Sequence, residues 1–279
     1  MSERPQARPT VLVTGASSGI GKAIAEAFAR AGWRVFGTSR RTRPDRPGAE
    51  MLRLDVRSGE SIAACAAQVF ARAGHLDVLV NNAGVMHLGV VEETTIDEAR
   101  AVLETNLFGV VRLTNAVLPH MRARRRGRII NVGSAAAWVG EPGEAFYASS
   151  KHALAGYTEA LRHEVWPLGI HVSLVEPGAF ATNVLQAAST SAARLSDYDP
   201  VRQAAARTLQ NSLQRGGDPW KVAQLVMKVA RARTPRLRYP AGREARWLPL
   251  LKVLVPQRLF DYLIRRGYGL HKAADPQAR

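Results

Sequence analysis

The sequence predicts an α/β protein in one domain, a doubly wound parallel sheet with helices on both faces. Three observations carry that reading. Short apolar runs alternate with stretches of helical periodicity through the first two thirds of the chain, a glycine-rich turn follows the first run, and no linker, repeat or low-complexity block divides residues 1–279. Strand, helix, strand, repeated, is how parallel neighbours are joined by crossover helices.

The elements follow in order. "TVLVT" (10–14) is the first apolar run, and "GKAIAEAFARAG" after it places Ile20, Ile24, Ala27, Phe28 and Ala31 at helical spacing. "WRVFGTS" (33–39), "MLRLD" (51–55), "LDVLVNNAG" (76–84), "RIINVGS" (128–134) and "IHVSLVEPG" (170–178) read as further strands that end in polar or glycine turns. Together, residues 10–178 form the expected core. Residues 179–217, rich in Ala, Ser and Thr, are the least regular stretch and are expected to be a mobile flap beside the sheet. Asp218-Pro219 then reads as an N-cap with proline at the first helical position, and Val222, Leu225, Val226 and Val229 continue one apolar face. "RLRYPAG" adds a last short strand, and residues 241–279 form a basic, apolar C-terminal extension.

Composition narrows the class. An apolar content of 46% supplies a sizeable core, and Cys65, the only cysteine, excludes an intrachain disulfide and suits a reducing compartment. The polar start "MSERPQARP" lacks the apolar stretch of a signal peptide, and no run approaches the ~20 apolar residues of a bilayer span, so a soluble cytoplasmic protein is expected. A formal net charge of +16 suggests nucleic acid or an anionic surface. The charge gathers at one end, however: residues 231–279 hold twelve Lys or Arg against Glu244, Asp261 and Asp275. There, "WLPLLKVLVPQRLFDYLIRRGYG" fits a weak membrane-surface contact, a cover over an apolar pocket in which Trp247, Leu250, Leu251, Val255, Leu259 and Phe260 take part, or a terminal helix with a solvated basic face. "RARRRGR" (122–128) joins a helix to a strand and reads as a solvated turn, so no nucleic-acid partner is expected. The seven histidines and Cys65 show no ligand spacing, and no metal is expected.

"TGASSGIG" (14–21) links the first strand to the first helix, the context a dinucleotide site requires. Gly15, Gly19 and Gly21 let the backbone turn tightly and approach a pyrophosphate, whose charge meets the free N–H groups of the helix start, with Ser17, Ser18 and Ile20 in the same loop. The spacing is G-x-x-x-G-x-G rather than G-x-G-x-x-G. Where a carboxylate would take the ribose hydroxyls of NAD, the second strand ends Thr38-Ser39-Arg40-Arg41, and a guanidinium offers paired donors to a 2′-phosphate. The expected cofactor is NADP(H). Tyr147 and Lys151, four apart in "AFYASSKHAL", share one helix face, which by itself is equally a pair of amphipathic surface side chains.

Taken together, "TGASSGIG", "NNAG" (81–84), Asn106, Ser134, Tyr147 with Lys151, and "PG" (177–178) occur in the order seen in the short-chain dehydrogenase/reductase family, which the chain resembles over nearly all of residues 10–240. The resemblance implies a single Rossmann domain of about seven strands in the order 3-2-1-4-5-6-7, binding NAD(P), with Asn106, Ser134, Tyr147 and Lys151 as the catalytic four. It also implies that Asp55 and Val56 meet the adenine, that Asn82, Ala83 and Gly84 line the adenosine ribose side, and that Pro177, Gly178 and Thr182 hold the nicotinamide end, with Tyr147 and Lys151 also touching the cofactor. The short 40–50 connection, the flap and "RYPAG" look most like the branch with 17-beta-hydroxysteroid and retinol dehydrogenases.

In such a site Tyr147 donates a proton to a carbonyl oxygen that Ser134 holds, while hydride reaches the carbon. Lowering a phenol's pKa by about three units needs roughly 4 kcal/mol, which a cation about 4 Å away at an effective dielectric near 20 supplies. Lys151 is expected to do this, with the oxidised nicotinamide adding positive charge, and the resemblance implies that Asn106 bends its helix and holds a relay water. The expected activity is oxidoreduction of a hydrophobic secondary alcohol or carbonyl of steroid, retinoid or lipid type. A 3-oxoacyl thioester reductase and a non-catalytic NADPH-sensing protein are the alternatives. Family members pair through helices flanking the sheet, so a homodimer or homotetramer stands beside a monomer held at a membrane by the tail.

Overall fold

The computed structural model describes residues 8–182 and 188–272. Seven strands, β1 (Thr10–Val13), β2 (Arg34–Ser39), β3 (Ala49–Arg53), β4 (Val78–Asn81), β5 (Gly127–Val132), β6 (Ile170–Pro177) and β7 (Arg238–Ala241), form one sheet. Their order is β3-β2-β1-β4-β5-β6-β7, with every pair parallel. β1 and β4 are buried along their whole length, as expected of central strands covered on both faces and therefore nearly continuous in apolar residues.

Helices close both faces. On one, Ile24 and Phe28 of α1 (Gly19–Arg30) pack with Val222 and Val226 of α7 (Pro219–Arg231) against β1 and β2. On the other, Ile62 and Val69 of α2 (Gly59–Ala73), Leu113, Val117 and Met121 of α4 (Gly109–Ala123) and Leu161 of α5 (Ala145–Val165) cover Leu12, Leu79 and Ile129. Each fully buried side chain of this size contributes about 1.5–3 kcal/mol of transfer free energy. Asp218 caps α7 by accepting from the Trp220 N–H at 2.9 Å, ahead of the N-terminal proline.

α3 (Ile96–Leu103) begins with a reciprocal capping box between Thr95 and Glu98 and runs through a π turn at Glu104–Phe108 into α4. The combined stretch Ile96–Ala123 has 28 residues and a mean hydropathy of 1.2 in its most apolar window, long and apolar enough by composition to cross a membrane, contrary to the sequence expectation. In this fold its inner face packs beside the sheet.

Two further regions depart from expectation. The stretch expected to be an irregular flap holds a sixteen-residue helix, α6 (Asp199–Gln214), and a two-residue pairing of His87–Leu88 with Ser189–Thr190. Its sequence "DPVRQAAARTLQNSLQ" is rich in good helix formers but buries only Ala204 and Ala205, so the apolar stripe that announces a core helix is missing. The extension folds as a hairpin of α8 (Arg243–Leu254) and α9 (Gln257–Gly267), turning at Val255-Pro256. The basic run 122–126 is exposed where α4 ends and the chain turns at Arg124-Arg125, and it is pinned by Arg124 to Asp77 and by Arg125 to the Pro167 carbonyl.

Candidate active site

The strand order reverses beside β1, between β1 and β4, and parallel sheets open a crevice at the carboxyl ends of strands at such a point. A cleft of about 660 Å³ lies there, lined by Gly15, Ser17, Ser18, Gly19, Ile20, Gly21, Ser39, Arg40, Asp55, Val56, Asn82, Ala83 and Gly84. The loop geometry demands glycine at two positions. Gly15 has φ +65°, and a Cβ there would stand 3.0 Å from the Ala83 Cα, while a Cβ on Gly21 would lie 2.3 Å from the Gly15 carbonyl oxygen. Thr14 locks the facing loop, its Oγ1 accepting from the Asn82 and Ala83 N–H groups at 2.9 and 2.8 Å. Ser18 makes no side-chain cap on α1, and the first turn carries no acid, so the helix presents its N–H groups and partial positive charge to the cleft.

The cleft is more basic than Arg40 alone suggests. Arg41, Arg43 and Arg57 also line it, and Arg46 ties the β2–β3 connection to the glycine loop by donating to the Ser17 carbonyl at 2.8 Å. Arg57 also grips Asp55, with Nη2 2.6 Å from Oδ2, and this hydrogen-bonded guanidinium holds the carboxyl down at about 2.

A second cavity, of about 440 Å³, shares Ile20, Asn82, Gly84, Val85 and Thr182 with the cleft, so the two spaces join. Ser134, Tyr147, Lys151, Pro177 and Gly178 line it. Ser134 follows β5 and starts a short 3-10 turn, its Oγ accepting from the Ala136 N–H at 3.1 Å. Tyr147 and Lys151 lie one turn apart near the start of α5, with Nζ 5.7 Å from the centre of the phenol ring. Lys151 is 5% exposed, and its ammonium donates to the Val132 carbonyl at 3.1 Å. Asn106 stands behind these groups in the π turn, 1% exposed. Its Oδ1 accepts from the Val85 N–H at 2.8 Å, and its Nδ2 donates to the Val85 carbonyl at 2.9 Å and to Ser150 Oγ at 3.0 Å. The extra backbone residue of a π turn turns Asn106 inward at the point where the polar interruption had suggested a bend.

The electrostatics correct one expectation. The Tyr147 phenol is not depressed but pushed up to about 12. Burial disfavours the phenolate most; the Ser134 hydrogen bond pulls the other way, and the charges of Glu144 and Glu141 add to the rise. Burial likewise lowers the Lys151 ammonium to about 8. A pairwise Coulomb argument had left out desolvation, which acts on both partners, and had not foreseen the carboxylates.

Those carboxylates are the residues that sequence reasoning missed. Glu141, Glu144 and Glu244 line the second cavity with Tyr268, and Thr208, Leu209, Ser212 and Leu213 of α6 and Leu248 of α8 complete the wall. Of the residues expected to close an apolar cleft, Trp247, Leu250, Leu251 and Leu259 are exposed and Phe260 is buried in the fold, whereas Leu248 and Tyr268 face the cavity.

The pattern of the short chain dehydrogenase family matches residues 9–193. The chain belongs to the short-chain dehydrogenase/reductase family. As a short-chain dehydrogenase/reductase it is an oxidoreductase acting on CH–OH or keto groups, and a non-catalytic sensor is set aside. It is 35% identical over 269 residues to the 3-ketodihydrosphingosine reductase of Bacteroides thetaiotaomicron, covering 93% of this chain and 98% of that one. It is also 35% identical to the human 17-beta-hydroxysteroid dehydrogenase type 1, over 88% of this chain and 81% of that one. A crystal structure of a short-chain dehydrogenase from Streptomyces avermitilis superposes with a TM-score of 0.82 at 38% identity, covering 98% of this chain and all of its counterpart.

Proposed function

We propose that this enzyme uses NADP(H) to interconvert an apolar ketone and its secondary alcohol, with Tyr147 moving the proton. One observation carries the reading: Ser134, Tyr147 and Lys151 line a cavity that opens directly into the glycine-walled, arginine-edged cleft. The cleft fits a dinucleotide, because its loop leaves no space for side chains at Gly15 and Gly21 and turns an uncapped helix start toward an anion. Arg40, with Arg41 and Arg43 beside it, supports a 2′-phosphate at the far end, where β2 ends without a carboxylate. Pro177, Gly178 and Thr182 would meet the nicotinamide end.

When bound, the nicotinamide supplies or takes up the hydride. The chain's own residues handle the proton. Tyr147, held protonated by its surroundings, donates to the carbonyl oxygen during reduction, and the Ser134 hydroxyl steadies the charge that grows there. Lys151 supports the phenol from the next turn, and Asn106 positions α5 through Ser150. Leu209, Leu213 and Leu248 give the cavity its apolar wall, which favours a lipid-like ketone or alcohol, and the similarity to a 3-ketodihydrosphingosine reductase and to a 17-beta-hydroxysteroid dehydrogenase supports that class.

A second reading, reduction of a 3-oxoacyl thioester, is favoured by the basic α8–α9 hairpin beside the cavity, which would attract an acidic carrier. NADPH absorbance with a panel of long-chain ketones, steroid ketones and acyl thioesters tests both. Oxidation with apolar ketones is expected. Activity confined to thioesters would favour the second reading, and none with any compound would overturn the first.

A further inference from the structure

We infer that Glu93 is a positioning residue for the ketone: through Arg202 it fastens α6, and with it one wall of the substrate cavity, although Glu93 itself does not line that cavity; its bearing on the ketone rests on the reductase reading above. α6 supplies Thr208, Leu209, Ser212 and Leu213 to the wall, yet it buries only Ala204 and Ala205. Two alanine methyls remove little apolar surface from water, so burial alone does not fix where this helix lies. Its C-terminal end is tied by backbone. The Gly217 N–H donates to the Ala179 carbonyl at 3.1 Å, and the Ala181 N–H donates to the Gly217 carbonyl at 2.9 Å. Its N-terminal end is tied by side chains, to the stretch 87–98 that leaves the cavity wall after Val85 and Met86.

Glu93 is 1% exposed. Its Oε1 accepts from the Leu195 N–H at 2.6 Å and pairs with Arg202, whose guanidinium also pairs with Asp199 in the first turn of α6. Its Oε2 is buried and has no hydrogen-bond partner among the described residues, so the carboxylate depends on the groups around Oε1. A carboxylate hidden from water is tolerated only where it is paired, and Glu93 and Arg202 therefore hold each other in one geometry. Asp97 and Arg100, an exposed pair on the same stretch, are screened by water and impose no such constraint. Weaker ties flank the buried pair. The Tyr198 hydroxyl donates to Glu92 at 2.6 Å, and the His87 ring stands between Ser189 Oγ at 2.9 Å and Ser191 Oγ at 3.2 Å. Of these ties the Arg202 pair is the one that reaches α6 itself, so it decides how closely Leu209 and Leu213 approach a bound chain.

Hydrogen exchange of the full chain without ligand tests the clamp. Arg202→Met keeps much of the side-chain stem and removes the charge. It should speed exchange of the α6 amides at least tenfold and leave those of α1 within twofold. Arg202→Lys, which keeps a cation beside Glu93, should recover most of that protection. Glu93→Gln, which keeps the volume, makes the same test where Arg202→Met does not fold, with at least threefold faster exchange expected. Adding Glu93→Gln to Arg202→Met should change exchange less than twofold, because the two groups act as one. In turnover of a long-chain methyl ketone, Arg202→Met should raise KM at least tenfold while kcat changes less than threefold and NADPH affinity by fluorescence less than twofold, the signature of lost ground-state binding. α6 exchange within twofold of the parent in both single variants overturns the clamp. Faster α6 exchange with an unchanged KM overturns the positioning role. Absence of turnover of any ketone by the unaltered protein overturns the reductase reading, while exchange still decides whether Glu93 holds α6.

Discussion

The proton on Tyr147 is held by its surroundings, since burial disfavours the phenolate and Glu144 and Glu141 add negative charge. Tyr147→Phe removes that proton and little else. Reductase activity should fall by about 10²–10⁴-fold, the range typical of a lost general acid, while NADPH affinity measured by cofactor fluorescence stays within about threefold. Unimpaired turnover would take the proton away from Tyr147. Glu144 makes a prediction about stability. Its folded-state pKa is raised from 4.5 to about 8, so between those values the folded protein binds the extra proton and stability falls as pH rises through the window. At 1.36 kcal/mol per unit the upper bound is roughly 5 kcal/mol, shared with Glu141. Thermal melts of Glu144→Gln should therefore coincide with the parent near pH 5 and lie above it near pH 8.5; identical melts at both pH values would place the carboxyl in water. Arg40→Asp should shift preference from NADP towards NAD in parallel cofactor titrations, and an unchanged ratio would move phosphate recognition to Arg41 or Arg43.

At the scale of elements, the joint between glycine loop and α1 is the stiffest requirement of the cleft. Gly21→Ala puts a methyl 2.3 Å from the Gly15 carbonyl, so the loop must shift, and NADPH binding should weaken at least tenfold by fluorescence titration even where the melting temperature changes little. This loop was legible in the sequence because its demand is local: a positive φ and a close approach write themselves as glycines at fixed spacing. The strands were legible for the same reason, a short apolar run between turn residues. Ser134, Tyr147 and Lys151 were legible through their order and spacing, and the fold brings them to one cavity. The carboxylate wall was not. In "GEPGEAF" Glu141 and Glu144 look like loop acids, and only the arrival of Tyr268 and α8, about a hundred residues later, places them on the wall of a cavity. α6 escaped because a helix that lids a cavity buries too narrow a stripe to be told from a polar coil. The sign of the tyrosine shift was out of reach because desolvation depends on packing and is invisible to residue spacing.

On the whole molecule, the apolar surface is unevenly spread. Trp247, Leu250, Leu251, Val253, Leu254, Leu259, Tyr262 and Leu263 are all exposed within the α8–α9 hairpin, Val253 and Leu254 to 79% and 76%. Six cations, Arg243, Arg246, Lys252, Arg258, Arg265 and Arg266, share it with Glu244 and Asp261. We propose that this face rests on an anionic bilayer, because its like charges oppose pairing with a second copy, whereas acidic lipid complements them and its apolar side chains enter the interface. The protein should co-sediment with vesicles containing phosphatidylglycerol, less so in high salt, and Val253→Asp with Leu254→Asp should abolish this. A concentration-dependent dimer in the absence of lipid would assign the face to self-association instead.

The chain order of the two spaces carries a last consequence. Everything lining the arginine-edged cleft, apart from Thr182, is complete by Thr105, whereas the roof of the other chamber waits for Glu244, Leu248 and Tyr268. During synthesis the nascent polypeptide can thus assemble its nucleotide half well before the compartment that selects a reactant exists. Early occupancy by the dinucleotide would stabilise a partly made sheet whose seventh strand is still inside the ribosome.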